Sequence, residues 1–471
     1  MYTSACAVAD DERSAWLRHT LVLDNQDFLE RDVELAAGKL AKMGETPFGY
    51  FRGSAAQMMR DMLEPGGAAV QPCRFTDTEV EDVALVGDPH PENLGGYRTG
   101  DGTITIDFND FDAASYGPFE LDVRRLAVGF WIAGAQVGLG DGERSTIVAA
   151  VARGYADEIA ALAEDPANAT IVTDAVSQGV ILDALLLDAR EDGDDAKPLD
   201  DYTIVDGDAR HFLDGELEPT RMLTYGDTKQ LVFEDTLQAV DAGTAMRVRA
   251  LIDAWRTTVA DPSAIAASPV ISVARRLGAG VSSYPLYRWY VLLEGPSDGP
   301  DDDVMLELKE VRDPPPLPGL RRPIDAPYPK NGQRVVMLAR ELQAFVDDDP
   351  LMGWAEDGAQ SFRVRERSGY QNSVDLEDLE EAIAAGEWTV GDVEQFAGTG
   401  GRVLARSHSR ARRARGTIAG AAIAHAIDDA DAFIDDVVAF AEHYGPVVQD
   451  DRDRLAQLVA EHGADLGYGS W

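Results

Sequence analysis

The stretch that most constrains this chain runs from Val83 to Asp112, where two apolar segments flank a polar loop. The first segment, Val83 to Val86, has the length and bulk of a buried strand and ends at Gly87. After the second segment, Asp101-Gly102 favours a tight turn, and the alternating run Thr103 to Asp107 follows as a strand. The sequence therefore predicts a hairpin that returns its last carboxylate towards the loop.

Alternation along the returning strand decides which side chains face the polar side. Ile104 and Ile106 share one face and Asp107 lies on the other, because successive side chains alternate across the pleat. Asp107, the loop residue Asn93 and the nearby Asp110 supply hard oxygen ligands of the kind that Mg²⁺ binds. We expect a magnesium site here; the simpler alternative is a set of turn residues at a solvated strand end.

The loop also resembles known sequences. GDPHPEN at residues 87–93, followed by IDF at 106–108, is similar to the catalytic and metal-binding segments of the aminoglycoside-phosphotransferase and protein-kinase-like superfamily. More closely, PFGYFRGSAA at 47–56, GDPHPENLGGY, NDFD and GPFELDVRRLA resemble the family catalogued as domain of unknown function 2252. This second resemblance extends, more weakly, over most of the chain.

The resemblance implies an α+β, kinase-like two-lobed fold and assigns roles to residues. Asp88 would orient or deprotonate an acceptor hydroxyl, and His90 and Arg52 are the other candidate catalytic residues. For Arg52 the alternative is an ordinary surface or salt-bridging arginine. Asp122, at the start of a segment that is apolar nearly all round, would brace the catalytic loop and not react.

The downstream half supplies candidate nucleotide-binding residues. Gly278 and Gly280 lie in a turn between strand-like runs, where glycine lets backbone N–H groups approach phosphate. Lys309 lies within an apolar strand, Val304 to Val311, in a chain with only six lysines among 42 basic residues. A retained lysine indicates a compact charge for phosphate oxygens, as in kinase-like proteins; otherwise it is a surface lysine. On the helix that follows, Glu341 is the candidate partner of Lys309.

The order of these elements differs from that of ordinary kinases, because the catalytic loop precedes the lysine strand. We therefore expect a circular permutation, which is tolerated when the original termini lie close together. The expected division is a large helical lobe over 1–269, a small β-rich nucleotide-binding lobe over 270–372 and completing helices over 373–471. Residues 141–268 are expected to form further helices.

Charge excludes some partners. The chain has 84 acidic and 42 basic residues, a net charge of −42, and we interpret this as adaptation to a high-salt cytosol. Such a polyanion is expected to repel nucleic acid. The two cysteines show no disulfide or metal-ligand pattern, and neither a secretory signal nor a membrane-spanning segment is evident. The expected location is cytoplasmic.

The sequence thus favours a Mg²⁺- and ATP-dependent phosphotransferase acting on an unidentified hydroxyl acceptor. One alternative is a nucleotide-binding regulatory protein without transfer activity, and another is a metal-dependent phosphohydrolase. Adenylyl transfer also stays open, because nothing fixes which phosphate is attacked. The expected partners are a nucleotide and a small-molecule acceptor, and the oligomeric state is not specified by the sequence.

Overall fold

The structure is a computed structural model. It describes residues 10–69, 74–77, 79–99, 102–165, 172–173, 177–191, 193, 196–207, 209–225, 228–259, 267–297, 299–317, 320, 328–344, 349–358, 360–414 and 416–468. Strands and helices are mixed along the chain, and the sheets are antiparallel.

The elements follow one another in a mixed order. The helices are α1 (Asp10–Arg31), α2 (Val33–Glu45), α3 (Pro47–Gly53), α4 (Ala55–Leu63), α5 (Glu120–Gln136), α6 (Asp141–Glu164), α7 (Val180–Glu191), α8 (Lys197–Tyr202), α9 (Ala242–Trp255), α10 (Asn331–Leu342), α11 (Leu376–Ala385), α12 (Val390–Arg410), α13 (Gly420–Ala426) and α14 (Ala430–His462). The strands are β1 (Val83–Leu85), β2 (Leu94–Arg98), β3 (Ile104–Phe108), β4 (Ser115–Gly117), β5 (Val172–Thr173), β6 (Thr203–Asp206), β7 (Ala209–Phe212), β8 (Gly215–Glu218), β9 (Arg221–Tyr225), β10 (Thr228–Val232), β11 (Asp235–Ala239), β12 (Val270–Leu277), β13 (Arg288–Leu293), β14 (Val304–Val311), β15 (Gly353–Asp357), β16 (Gln360–Glu366) and β17 (Asn372–Ser373).

The largest sheet in the described part of the chain has the strand order β15-β16-β14-β13-β12-β11-β8. One face of this sheet is apolar, because Leu306, Leu308, Phe362 and Val364 pack together with Trp255 of α9. The neighbouring residues of β14 and β16, which point the other way, are charged. This charged face lies towards the β2-β3 hairpin, so the sheet brings downstream cations to the upstream loop.

The second body of the molecule is mainly helical. Helices α5, α6, α12 and α14 share one core, and every described residue of α5 up to Gly134 is buried, as its apolar sequence predicts. Close contact between α6 and α12 depends on glycine, since a Cβ at Gly401 would lie 2.1 Å from the Val151 carbonyl oxygen. This packed body holds the loop that follows β1.

Several predicted elements are found. The strand Val304 to Val311 is β14 with the same bounds, and β1 covers most of the predicted strand 83–86. The helix expected after the lysine strand, which carries Glu341, is α10. The helices expected within 373–471 are α11 to α14.

The prediction of further helices across 141–268 was wrong for the middle of that segment. Strands β6 to β11 occupy 203–239, between α8 and α9. The turns after β6 and β7 use Asp-Gly pairs, and Gly207 and Gly215 adopt positive φ values of 66° and 143°. These strands are short and largely exposed, so they lack the apolar alternation by which a strand is recognised.

No helix in the described ranges is apolar over a stretch long enough to traverse a bilayer.

Candidate functional site

The hairpin places its carboxylate beside the loop, as the sequence predicts. In the β2-β3 pair, Gly95 lies opposite Asp107, and the Asn109 amide donates a hydrogen bond to the Asn93 carbonyl at 2.9 Å. The Asn93 side chain donates to the Asp88 carbonyl at 2.8 Å, which closes the loop on itself. The loop and the hairpin therefore form one rigid unit.

Asp122 of α5 holds this loop from behind. Its carboxylate accepts hydrogen bonds from the backbone amides of Val86 at 2.7 Å and Gly87 at 3.0 Å. The ring of His408 on α12 lies 3.1 Å from the same carboxylate, and its other nitrogen contacts the Tyr155 hydroxyl at 2.8 Å. Asp122 and His408 are fully buried, so these contacts fix the loop and are the bracing role that the resemblance implied for Asp122.

Lys309 of β14 meets the acids that follow β3. Its ammonium lies 3.0 Å from Asp110 and 2.6 Å from Asp112, and Arg363 of β16 lies 3.8 Å from Asp112. Burial would raise the pKa of Asp110, but the positive charges of Lys309 and Arg363 outweigh it and lower the pKa below its ordinary value. The carboxylate of Asp110 is therefore ionised and paired with a lysine 199 residues away.

Asp88 is also paired with a cation. The guanidinium of Arg125, on the buried helix α5, lies 2.8 Å from the Asp88 carboxylate and also donates to the Phe51 carbonyl at 2.7 Å. Burial raises the pKa of Asp88, and the negative charge of Asp110 adds to this effect, while Arg125 opposes it. Asp88 thus lies close to the group formed by Lys309, Asp110 and Asp112. Arg125 was not among the predicted site residues.

Arg52 and His90 lie on the other side of the loop. Arg52 pairs with Glu92, which places its positive charge beside the loop and also agrees with the salt-bridging alternative. His90 is buried edge-on against the Phe48 ring, and its Nδ1 has no hydrogen-bond partner among the described residues. Burial and the charge of Arg52 lower the pKa of His90 well below its ordinary value, so the ring is neutral.

Asp107 has different partners from Asp110. Its two oxygens accept hydrogen bonds from the amides of Phe108 at 2.8 Å and Ala344 at 2.9 Å, and Arg410 lies 3.6 Å away. Burial raises the pKa of Asp107, and Arg410 partly offsets this. In the described ranges, no three His, Cys, Asp or Glu side chains are grouped as a metal ion would require. A magnesium ion that is held by an amide and one or two carboxylates does not need such a group of three.

The glycine turn lies between β12 and β13, with φ values of 89° at Gly278 and 78° at Gly280. Lys42 of α2 donates to the Gly278 carbonyl at 3.0 Å, which fixes one side of the turn. Arg288, which lies opposite Lys309 in the β13-β14 pair, reaches the Ser283 hydroxyl at 3.4 Å. The turn is therefore connected to the charged face of the sheet.

The predicted pairing of Glu341 with Lys309 was wrong. Glu341 accepts a hydrogen bond from the Tyr328 hydroxyl at 2.8 Å, and the carboxylates that contact Lys309 are Asp110 and Asp112. The physical reason is that the loop after β3 already surrounds the ammonium with carboxylates. Asp112 is thus a principal partner of Lys309.

Sequence reasoning also missed the arginines of β16. Arg363 and Arg365 share the charged face with Lys309, and Glu307 of β14 lies 3.0 Å from Arg363 and 3.8 Å from Arg365. The pattern Arg-Val-Arg-Glu-Arg at 363–367 was the available signal, because alternate residues of a strand share a face. In a chain with many arginines that signal was not specific.

Comparison with known proteins agrees with the closer of the two resemblances. A family model described as an uncharacterized protein conserved in bacteria (DUF2252) matches residues 31–457. The chain belongs to the DUF2252 family. No curated protein and no solved structure matches this DUF2252 protein. The match covers both the β2-β3 hairpin and Lys309, so the two halves of the candidate site lie within one family domain.

Proposed function

We propose that this DUF2252 protein is a Mg²⁺- and ATP-dependent phosphotransferase that acts on a hydroxyl acceptor. The observation that carries the proposal is the meeting of Lys309 with Asp110 and Asp112, at 3.0 Å and 2.6 Å. A buried lysine among carboxylates, beside a further loop carboxylate at Asp88, has the charges that phosphoryl transfer requires. Such catalysis depends mainly on positioning and charge neutralisation.

The fold that we propose for it is a kinase-like two-lobed fold in circularly permuted order. Its support is the succession of a glycine turn, the lysine strand β14, the helix α10 and the strand β16, which follow one another as the resemblance implies. The contact between Lys309 and the hairpin, which a permutation requires, adds to that support. The charged face of the sheet would then cover the nucleotide phosphates.

Each side chain has a role in this proposal. Asp88 would accept the proton of the attacking hydroxyl, and its raised pKa makes it a stronger base than an exposed aspartate. Lys309 would leave its carboxylate partners to neutralise phosphate oxygens, with the backbone around Gly278 and Gly280 covering them. Arg52 would add positive charge at the loop. His90, being buried and neutral, would support the loop by packing.

The donor set is compatible with magnesium. Both oxygens of Asp112 are buried and are paired with the cations Lys309 and Arg363, and Asp110 is ionised beside them, so a metal ion would replace a positive charge that is already there. Asp110, Asp112 and Asn93 would hold the ion, and Asp107 would join them only after leaving its backbone partners. When bound, the ion supplies charge neutralisation for the transferred phosphoryl group.

One observation favours the second candidate, a nucleotide-binding regulatory protein without transfer activity. Arg125 holds the Asp88 carboxylate at 2.8 Å, and a carboxylate that is committed to a guanidinium is less available to accept a proton. A test must therefore separate nucleotide binding from transfer.

The test is ATP consumption in molar KCl with Mg²⁺, screened across pools of hydroxyl-bearing metabolites. We expect acceptor-dependent consumption that falls about 100-fold or more in Asp88→Asn, since a positioned base contributes at least that much. The matched control, Asp253→Asn on an exposed position of α9, should retain activity. Binding of Mg·ATP without transfer to any pool, and without an effect of Asp88→Asn, would establish the regulatory candidate instead.

A further inference from the structure

Three arginines, Arg363 and Arg365 of β16 and Arg367 directly after it, form a row along one face of the chain. Arg363, Arg365 and Arg367 alternate with Val364 and Glu366, so their side chains leave the sheet on the same side, about 7 Å apart. The opposite side carries the apolar cluster with Val364. Like charges at this spacing repel one another when they are removed from water. Accordingly, burial and the neighbouring Arg363 lower the pKa of Arg365.

Neutralisation of this arginine row is incomplete. Glu307 lies among its members, 3.0 Å from Arg363 and 3.8 Å from Arg365, and Arg288 approaches the same carboxylate at 3.4 Å. The side chain of Arg363 is only 4% exposed, yet its Nε has no hydrogen-bond partner among the described residues. The Nε atoms of Arg365 and Arg367 also lack one there. Buried donors without acceptors are costly unless a ligand satisfies them.

The arginine row lines a cavity of about 350 Å³. Its walls come from the β2-β3 hairpin, from α10 and from the segment after β16, including Tyr97, Arg98, Gln343 and Tyr370. Arg98 stacks over the Tyr370 ring with its guanidinium carbon 4.6 Å from the ring centre. The cavity thus combines cations with phenol and amide groups that can hydrogen-bond hydroxyls.

Two of the acids that line the cavity are hydrogen-bonded to the backbone. Asp107 accepts hydrogen bonds from two backbone amides, and Asp349 accepts one from the Leu351 amide at 3.2 Å. In a chain of net charge −42, a row of three arginines, of which Arg363 is buried and the other two are partly buried, is a local reversal of sign. A small anion would be drawn to it by charge and held by paired N–H donors.

We propose that this cavity binds a phosphorylated small molecule of about the size of a sugar phosphate, with its phosphate on Arg363, Arg365 and Arg367. A volume of about 350 Å³ lies within the range of small-molecule pockets. The phosphate offers several acceptor oxygens to the unsatisfied Nε donors. Tyr97 and Gln343, which donate hydrogen bonds to the Phe108 carbonyl at 2.9 Å and 3.0 Å, would offer their acceptor oxygens to the hydroxyl groups. This binding does not depend on the proposed transfer reaction.

Isothermal titration of the full chain with glucose 6-phosphate, glucose, inorganic phosphate and ATP, at one fixed KCl concentration, tests the proposal. We expect glucose 6-phosphate to bind, inorganic phosphate to compete with it, and glucose alone not to bind. Arg365→Gln should weaken glucose 6-phosphate binding about tenfold or more, as expected for loss of a charge-assisted contact. Arg367→Gln, at the end of the same row, should weaken it as well.

The controls distinguish this site from the Lys309 site. Arg249→Gln, on α9 against the opposite side of the sheet, should bind glucose 6-phosphate as the wild type does. ATP, whose proposed site lies at Lys309, should not displace glucose 6-phosphate. The proposal is overturned if neither phosphate compound binds, if Arg365→Gln and Arg367→Gln both bind normally, or if ATP displaces glucose 6-phosphate. Circular dichroism should show that each variant is folded.

Discussion

At the residue scale, two buried lysines of this lysine-poor chain have different surroundings. Lys309 lies among carboxylates at the candidate site, whereas Lys39 of α2 is buried in a purely structural setting. The Lys39 ammonium donates to the Asn25 amide oxygen at 2.8 Å and lies 5.6 Å from the centre of the Phe28 ring. The scarcity of lysine in the sequence is therefore not enough to mark a lysine as functional. The residues that contact each lysine distinguish a candidate site from a structural position.

Lys39 gives a pH prediction. Burial lowers its pKa from 10.5 to about 8, so below about pH 8 the folded state holds a buried charge at a cost of about 3 kcal/mol. Because the folded state binds fewer protons than the unfolded chain between these values, stability should rise as the pH increases from about 8 to 10.5. Lys39→Met should therefore be more stable than the wild type near neutral pH and lose this advantage above pH 10.5.

Urea unfolding of both proteins at fixed KCl, near pH 7 and above pH 10.5, measures this difference. The lost hydrogen bond to Asn25 reduces the expected gain by about 1 kcal/mol. An advantage of Lys39→Met that is equally large at both pH values would contradict the assignment of the cost to the buried charge.

The loop and the hairpin were predictable because a short motif specifies them. The Asn93 side chain contacts the Asp88 carbonyl, and Asp107 lies on the strand paired with β2, because loop and hairpin are adjacent in sequence. The partner of Lys309 was not predictable in the same way, because Asp110 and Asp112 lie about 200 residues upstream and their register against β14 depends on tertiary packing.

At the element scale, the packing of α6 against α12 depends on the absence of side chains. A Cβ at Gly401 would lie 2.1 Å from the Val151 carbonyl oxygen, and a Cβ at Gly154 would lie 2.2 Å from the Gly398 carbonyl oxygen. Helix α12 also supports the loop that follows β1, since His408 of α12 contacts Asp122. Separation of the two helices would therefore reach the site.

Gly401→Ala should destabilise the fold by about 1–3 kcal/mol, because the backbone of α6 cannot move without disturbing the core. Gly391→Ala, in the first turn of the same helix, is the matched control. There a new Cβ would meet only the Thr389 hydroxyl at 3.6 Å, and alanine favours the helix by about 0.5–1 kcal/mol. Thermal unfolding of the two variants measures this difference. Equal unfolding midpoints would contradict the dependence of the α6–α12 packing on Gly401.

The elements themselves were predictable to different degrees. Strand β14 was found at its predicted bounds because its apolar residues, which begin and end the run, extend over the length of a strand despite the charged residues Glu307, Lys309 and Glu310. Strands β6 to β11 were missed because short, exposed strands have neither the apolar run nor the alternation that identifies a strand. Their sequence does contain Asp-Gly turns at 206–207 and 214–215, and these were the available signal.

At the scale of the whole molecule, the net charge of the chain is negative, whereas one face of its largest described sheet gathers positive charges. The chain carries a net charge of −42, yet the charged face of its largest sheet gathers Arg288, Lys309, Arg363 and Arg365. Repulsion among the surface carboxylates opposes the compact state, and salt screens it. The inward face is screened less by salt because it is buried.

The molecule should therefore require salt for stability. At about 1 M KCl charges are screened within about 3 Å, and at about 0.1 M within about 10 Å. We expect the thermal unfolding midpoint to fall steadily across this range as KCl is removed. Sucrose, which is uncharged, should not replace KCl at equal osmolarity. A midpoint that is unchanged or that rises at low KCl would show that the acidity has another cause.

The measurement that tests the central claim most directly is calorimetric titration of Mg·ATP into the wild type, Lys309→Gln and Lys330→Gln at one KCl concentration. Lys330 precedes α10 and is exposed, so Lys330→Gln controls for the loss of a lysine charge. If Lys309 with Asp110 and Asp112 forms the phosphate site, Lys309→Gln should weaken Mg·ATP binding about tenfold or more, and Lys330→Gln should not. Equal affinity of all three proteins for Mg·ATP, or no binding to the wild type, would contradict the account.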